Sequence, residues 1–287
     1  MGSFVYDDDG GAILWRFSLL DELGEGAAVK IRLLPSDLGS DEKLHFLTTF
    51  LIDDVLAIDA GSLGFAALEV QRGIQEIFLT HSHMDHLATL PIHCENRLVE
   101  ERPSGLVVRG HAQALEVLDQ NLFNDLLWPD FSRIHYAGEP LIAWSVLNDE
   151  EPVHVQGLTV TPVLVNHAIP TFGFIIDDTE GRVVISGDTG PTERIWDLCC
   201  EGKEPDIVFV ECSFPNRLER LARESGHLTP ALLREEIEKV PPASEIVAYH
   251  LKPAFHDEIV RELAALSRES LSVANSKEEK WIPCRKT

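Results

Sequence analysis

Short apolar runs rich in valine, isoleucine, leucine and phenylalanine recur along this 287-residue chain, each breaking off at a polar or glycine-containing turn. Such runs read as strands buried on both faces, whereas longer stretches with apolar residues three or four apart read as helices. The pattern predicts strands over 12–19 and 28–34 on either side of an acidic turn at 21–26, then a hairpin of 46–52 and 55–58 turning at Asp53-Asp54. A helix is predicted over 64–72, a strand over 76–80, and a helix over 86–100 with a break at Pro91, where a helix interior loses a donor. A short strand (106–108), a helix (111–122) and an aromatic-rich stretch (123–136, with Trp128-Pro129-Asp130-Phe131) follow. Strands at 141–147, 158–165, 171–176 and 183–186 come next. Helix 191–200, strand 206–211, helices 217–225 and 229–240, strand 245–250 and helix 253–266 then alternate. The polar tail from Ser267 is expected to lie loosely, with Trp281 as its anchor. Strands fall in two batches, each followed by helices, and no repeat, linker or heptad interrupts them. Two sheets packed face to face with helices outside suit that order. The expectation is one α/β domain over 1–287, with 1–30 an N-terminal extension and 267–287 a polar tail.

Composition adds little to this picture and charge adds more. Hydrophobic residues are 44% and charged residues 25%, an ordinary globular balance. The 24 basic against 48 acidic residues give −24, a surface that repels phosphate backbones and anionic membranes. Small anions remain admissible, because bound metal ions reverse the field locally. No apolar stretch approaches the ~20 residues that span a bilayer. Asp7, Asp8 and Asp9 stand where a signal peptide carries basic residues, and Tyr6 stands where a myristoylation signal carries Ser or Thr. Cys94, Cys199, Cys200, Cys212 and Cys284 are an odd, scattered set, unlike a disulfide framework or a zinc finger. The expectation is a cytoplasmic protein.

The chemistry concentrates in Thr80-His81-Ser82-His83-Met84-Asp85-His86. An apolar run ends there in His-x-His-x-Asp-His, so three imidazoles and a carboxylate share one tight turn at a strand's end. These are the donors a borderline-soft divalent cation prefers. Three later runs end the same way: 163–165 at Asn166-His167, 183–186 at Gly187-Asp188, and 246–249 at His250. Strand ends along one edge of a sandwich are where a rigid scaffold gathers side chains from distant sequence.

In this order of ligand-type residues the chain resembles the metallo-β-lactamase fold. Ile58-Asp59-Ala60-Gly61-Ser62, Leu127-Trp128-Pro129-Asp130, Asn166-His167-Ala168-Ile169-Pro170, Ser186-Gly187-Asp188-Thr189-Gly190 and Tyr249-His250-Leu251-Lys252-Pro253 are similar to motifs of the class II 3′,5′-cyclic-nucleotide phosphodiesterases. The likeness runs from about Ile31 to Leu266. It implies a four-layer αββα sandwich of the metallo-β-lactamase type and two divalent metal ions, zinc first, with manganese or iron as alternatives. His81, His83 and His167 would hold one ion, and Asp85, His86 and His250 the other, with Asp188 bridging. Asp59 would orient the histidine loop from behind; from sequence alone, an acid capping the next helix is as good a description of it. Glu211 and His227, in Gly226-His227-Leu228-Thr229, resemble the elements that place a histidine to protonate a leaving oxygen in the phosphodiesterase and tRNA 3′-processing branches. A helix-start residue beside a Thr cap is the plainer reading of His227.

The activity so implied is hydrolysis of a 3′,5′-cyclic nucleotide, cAMP or cGMP, to the 5′-monophosphate. A metal-bridging hydroxide beside Asp85 would attack phosphorus in line, and His227, oriented by Glu211, would act as the acid. An RNA 3′-processing endonuclease uses nearly the same residues, and a metal-binding protein with a degenerate site is the non-enzymatic alternative. The expected partner is the small cyclic nucleotide, with no long nucleic acid or membrane, and a homodimer is left open. His45, His93, His111, His135, His154 and His256 lie in no strand-end motif and read as surface or packing residues, His256 in the first turn of the last helix. The stretch 123–136 reads as core rather than a stacking platform.

Overall fold

Alternation within the strands decides the architecture, since successive side chains fall into different cores. The computed structural model describes residues 29–36, 44–98, 105–136, 138–276 and 278–282; the expected strand 12–19 and turn 21–26 lie outside them. The first strands are β1 (Val29–Leu33), β2 (Phe50–Ile52), β3 (Leu56–Ile58), β4 (Glu76–Phe78), β5 (Leu106–Gly110), the short pair β6 (His135–Tyr136) and β7 (Glu139–Pro140), and β8 (Ile142–Val146). Then come β9 (Val153–Val155), β10 (Leu158–Val165), β11 (Thr171–Asp177), β12 (Arg182–Ile185), β13 (Ile207–Glu211), β14 (Glu245–Tyr249), β15 (Leu271–Val273) and β16 (Lys280–Ile282). The helices are α1 (Leu68–Gly73), α2 (Met84–Leu87), α3 (Leu90–Leu98), α4 (Ala112–Asn121), α5 (Arg194–Cys199), α6 (Glu219–Ser225), α7 (Pro230–Ile237) and α8 (His256–Ala264).

Two seven-stranded sheets result, ordered β16-β1-β2-β3-β4-β5-β8 and β15-β14-β13-β12-β11-β10-β9. Each is antiparallel at one end and parallel at the other: β3, β4, β5 and β8 run together in the first, and β12 to β15 in the second. Phe50, Ile52, Ile58 and Phe78 of one sheet meet Phe172, Phe174, Ile185, Phe209 and Tyr249 of the other in a shared core. Edge-on ring pairs, Phe50–Phe209 at 5.0 Å and Phe78–Phe174 at 5.9 Å, lock the sheets across it. The intervening residues face outward. Leu51, Ala57 and Ile77 pack under Leu63, Leu90 and Leu118, while Val184, Val208 and Ile246 pack under Trp196, Leu233 and Ile259. Both faces of each sheet are therefore covered, which is why the strands read as continuous apolar runs. The expected αββα sandwich is what forms.

The differences from expectation have local causes. The strand expected at 46–52 begins only at Phe50, because the amides of Phe46 and Leu47 are taken by Ser36 Oγ. The helix expected at 64–72 is split into a 3-10 turn at Leu63–Phe65 and α1, since the Gly64 amide is held by Thr89 Oγ1 at 2.7 Å. The break expected at Pro91 comes earlier, between α2 and α3. Pro91 sits in the first turn of α3, where its missing donor costs nothing. The turn at Asp53-Asp54 forms with both residues at positive φ (50° and 55°), and Asp54 pairs with Lys30 and Arg32.

The tail is the largest correction. Its described residues do not lie loosely: β15 adds a parallel strand to β14, and β16 pairs antiparallel with β1, Trp281 standing opposite Lys30 in the ladder. Ala274 and Ile282 are buried in the inter-sheet core. Truncating Ile282 to alanine should cost about 2–5 kcal/mol in a urea denaturation, the usual range for a fully buried isoleucine. A loss under about 0.5 kcal/mol, the scale of a surface change, would show that the tail does not close the core.

Candidate metal centre

Parallel strands put their carboxyl ends on one edge, and ligand-bearing loops gather there. Asp59 follows β3, His81 follows β4, Asp188 follows β12, Glu211 ends β13 and His250 follows β14. His167 leaves the antiparallel β10, and α2 opens within the histidine loop, carrying Asp85 and His86 in its single turn. Backbone bonds weld the loop in place. Ala60 donates to the His86 carbonyl at 2.8 Å, Thr48 to that of Asp85 at 2.8 Å, and Phe172 of the other sheet to that of Thr80 at 2.9 Å. Gly226 closes α6 in the left-handed region (φ 68°), and a Cβ there would stand 2.8 Å from the His167 Cα. Only glycine lets that turn approach the histidine.

The folded chain brings together every residue the sequence singled out. His81, His83, His167 and Asp188 offer one donor atom each within 4.8 Å of one another, and so do Asp85, His86 and His250. Asp188 stands between the groups: Oδ2 is 3.8 Å from His81 Nε2 and 3.6 Å from His250 Nε2, and Oδ1 is 3.4 Å from His86 Nε2. A third group, Asp188, His227 and His250, meets the same limit. His81, His86 and Asp188 are buried, whereas Asp85 keeps 30% of its side chain exposed and marks the open side.

Each deep imidazole has its outward nitrogen tied down. Asp59 accepts from His86 Nδ1 at 2.6 Å and from the Thr80 amide and hydroxyl at 2.8 Å, so its carboxylate positions the loop and caps no helix. Thr80 Oγ1 lies 2.9 Å from His81 Nδ1, the Gly226 carbonyl accepts from His167 Nδ1 at 2.8 Å, and Ser213 Oγ lies 2.9 Å from His250 Nδ1. Glu211 accepts from His227 Nδ1 at 2.5 Å, and its carboxylate also takes the amides of Thr189 and Ser213. These anchors leave the Nε2 lone pairs of His81, His86, His167 and His250 aimed at one cavity, the arrangement metal-binding histidines require.

Charge in the cavity is finely divided. Burial, then neighbouring imidazoles, hold His81 well below the ordinary histidine value and lower His83 and His167 too, keeping their lone pairs free. Burial alone would raise Asp188, but His250 and His86 outweigh it and hold the carboxyl well below the usual range. His86 opposes burial in the same way: Asp188 and Asp59 raise it well above its ordinary value, which marks Nε2 as a point that attracts positive charge, a proton or a cation in its place. Burial lowers His227, yet Glu211 turns the net direction upward.

The residues fit a divalent cation. His86 Nε2 and Asp188 Oδ1 are buried and face each other at 3.4 Å, too far apart for a well-formed hydrogen bond, so neither is fully satisfied unless something binds between them. His81 Nε2 and His83 Nδ1 face each other at 2.9 Å, and His83 Nδ1 and His167 Nε2 at 3.3 Å. Nitrogens with paired lone pairs converge this way around an ion.

Sequence reasoning passed over Thr80, Ser213 and Lys252. The signal for the first two was their position: Thr80 precedes the first histidine, and Ser213 lies two residues past Glu211, in the loop that leaves β13. The six other histidines stay out of the cluster. His93 packs against Gln71, His111 caps α4, and His256 opens α8 as expected. In the aromatic stretch, Phe123 and Phe131 are buried as core, while Leu126 and Leu127 are exposed. Among the described residues Cys94, Cys199, Cys200 and Cys212 are free, and no helix is long and apolar enough to cross a membrane.

The model of a beta-lactamase superfamily domain matches residues 48–251. The chain is 28% identical over 199 residues to 3′,5′-cyclic-nucleotide phosphodiesterase 1 of Saccharomyces cerevisiae, which covers 59% of this chain and 51% of the yeast protein. It is 23% identical over 202 residues to Ribonuclease Z of Ignicoccus hospitalis, covering 54% of this chain and 63% of that one. It thus spans about half to two thirds of the length of these relatives. Its fold is like that of unliganded yeast PDE1, with a TM-score of 0.73 at 19% identity over 88% of this chain and 99% of the other.

Replacing Asp59 with asparagine removes the charge that fixes His86. Zinc affinity, read by competition with a chromogenic chelator, should fall about 10- to 100-fold. Unchanged affinity would mean that Asp59 serves the fold alone.

Proposed function

We propose that this chain, which belongs to the beta-lactamase superfamily, is a binuclear metal-dependent phosphodiesterase that opens a 3′,5′-cyclic nucleotide to the nucleoside 5′-monophosphate. The observation that carries the reading is the Glu211–His227 pair beside the histidine–aspartate cluster. The His227 ring lies 5.0 Å from that of His167 and stacks at 5.8 Å on that of His250, with Nδ1 committed to Glu211 and Nε2 left to face a substrate.

In this reading His81, His83 and His167 hold one divalent ion, Asp85, His86 and His250 hold a second, and Asp188 is shared; zinc suits these donors first. When bound, such a pair supplies Lewis acidity toward phosphoryl oxygens and makes a water acidic near neutral pH. The chain's own groups do the rest. Asp85, on the open side, accepts a hydrogen bond from the attacking water, orients it, and takes up the proton that the water loses, passing it on to solvent. As the new P–O bond forms and the P–O3′ bond breaks, His227 Nε2 gives its proton to the departing ribose oxygen. Glu211 holds the ring in place and offsets its charge before the transfer. Phe214, edge-on to His227 at 5.6 Å, shields that side of the acid from water.

A second reading, cleavage of precursor tRNA, draws on the similarity to a Ribonuclease Z. A net charge of −24 opposes a long polyanion, and the small cyclic substrate is favoured for that reason. Cyclic AMP, cyclic GMP, bis(p-nitrophenyl) phosphate and a precursor tRNA, assayed side by side, separate the two.

On the preferred substrate, His227→Ala should lower kcat by about 10²–10⁴-fold, the usual worth of a general acid, with metal content unchanged. A fully active variant would remove the acid role. Loss of one ion per chain would make His227 a ligand, as the grouping of Asp188, His227 and His250 permits.

A further inference from the structure

Lys252, two residues past His250, lies 3.2 Å through Nζ from Asp85 Oδ2, an oxygen that His250 Nε2 also approaches at 3.2 Å. Both members of the lysine pair sit at the open side, with 33% of the Lys252 and 30% of the Asp85 side chain exposed. An ion pair this accessible adds little to stability, and Asp85 already has an imidazole partner, so the fold gives no strong reason for a lysine here. The hydrogen bond to Asp85 uses one of three ammonium donors. The lysine's charge also reaches the other end of the site, where it is felt at His227.

The need for a cation at this point comes from the rest of the molecule. Asp59, Asp85, Asp188 and Glu211 all line or back the cavity, and the chain as a whole carries −24. An incoming phosphodiester monoanion approaches through that overall negative field, which bound ions reverse only close to the histidine cluster. A fixed ammonium at the mouth, with donors to spare, lowers the barrier to entry and gives a non-bridging oxygen a defined seat.

We propose that Lys252 is the anion-positioning residue of this site: its ammonium binds a non-bridging oxygen of the phosphoryl group and turns the leaving oxygen toward His227. The assignment rests on the phosphodiesterase reading above. It makes Lys252 a contact for the phosphoryl group of any substrate rather than for one nucleobase.

The test uses the metal-loaded chain in wild-type, Lys252→Met and Lys252→Arg forms. Inorganic phosphate binding is measured by calorimetry, metal content by elemental analysis, and KM and kcat with bis(p-nitrophenyl) phosphate. Losing one charge-assisted hydrogen bond should weaken phosphate binding about tenfold in the methionine variant and raise KM by a similar factor, with metal content unchanged. Arginine should restore most of both. Phosphate affinity equal to wild type in Lys252→Met would overturn the proposal. So would a loss of metal in step with affinity, which would make the lysine a strut for Asp85. Lysine-dependent phosphate binding in a wild-type chain that cleaves no diester would refute the phosphodiesterase reading and leave the anion contact standing.

Discussion

A carboxylate with 1% of its side chain exposed and one oxygen without a hydrogen-bond partner has to be met by positive charge, and Asp188 is such a group. An isolated carboxylate in the interior is prohibitively costly, so its neighbours are constrained: imidazoles from both sheets turn their ring nitrogens toward it. Those imidazoles cannot all be protonated at such close quarters. Buried carboxylate charge at Asp188, set among imidazoles of which His81, His83 and His167 are held below the ordinary histidine value, makes the cavity receptive to divalent cations. Much of the architecture serves that point, since β4, β12 and β14 end beside it and the inter-sheet aromatic core fixes their separation.

The same edge holds two residues in an unfavourable backbone region. Asp59 and His250 both take positive φ, 61° and 60°, at about 1–3 kcal/mol each for non-glycine residues. Each is over-determined by its surroundings. Asp59 is caught between Thr80 and His86, and His250 between Ser213 and Asp85. Strain at these two strand exits turns the carboxylate under the histidine loop and the imidazole into the cavity. Rigid placement of this kind is what the proposed phosphoryl-transfer chemistry would need, because positioning and electrostatics supply most of the rate of such reactions.

Much of this was legible in the chain because the site is written in strand-end residues. A sheet covered on both faces gives unbroken apolar runs, so 158–165 and 183–186 could be placed to within a residue, and the ligand-type residue after each run followed directly. The tail was illegible for the opposite reason. Leu271–Val273 and Lys280–Ile282 are three-residue edge strands with polar neighbours, and only pairing with β14 and β1 makes them strands. The helix break at Gly64 depends on Thr89, a contact twenty-five residues away that no local pattern encodes. Asp59 was ambiguous between a helix cap and a histidine anchor until its carboxylate had a partner. Ser213 carried no motif, Lys252 stood in a motif that gave it no role of its own, and the meaning of both comes from standing beside His250.

The position of Asp188 between the two donor groups is the point on which the proposed two-metal centre stands or falls. Elemental analysis of the wild-type chain beside Asp188→Ala, both purified from zinc-supplemented medium and dialysed, tests it most directly. Two ions per wild-type chain and fewer than one in the variant is the predicted result, because the carboxylate serves both groups. Two ions in each protein, or none in the wild type, would contradict it.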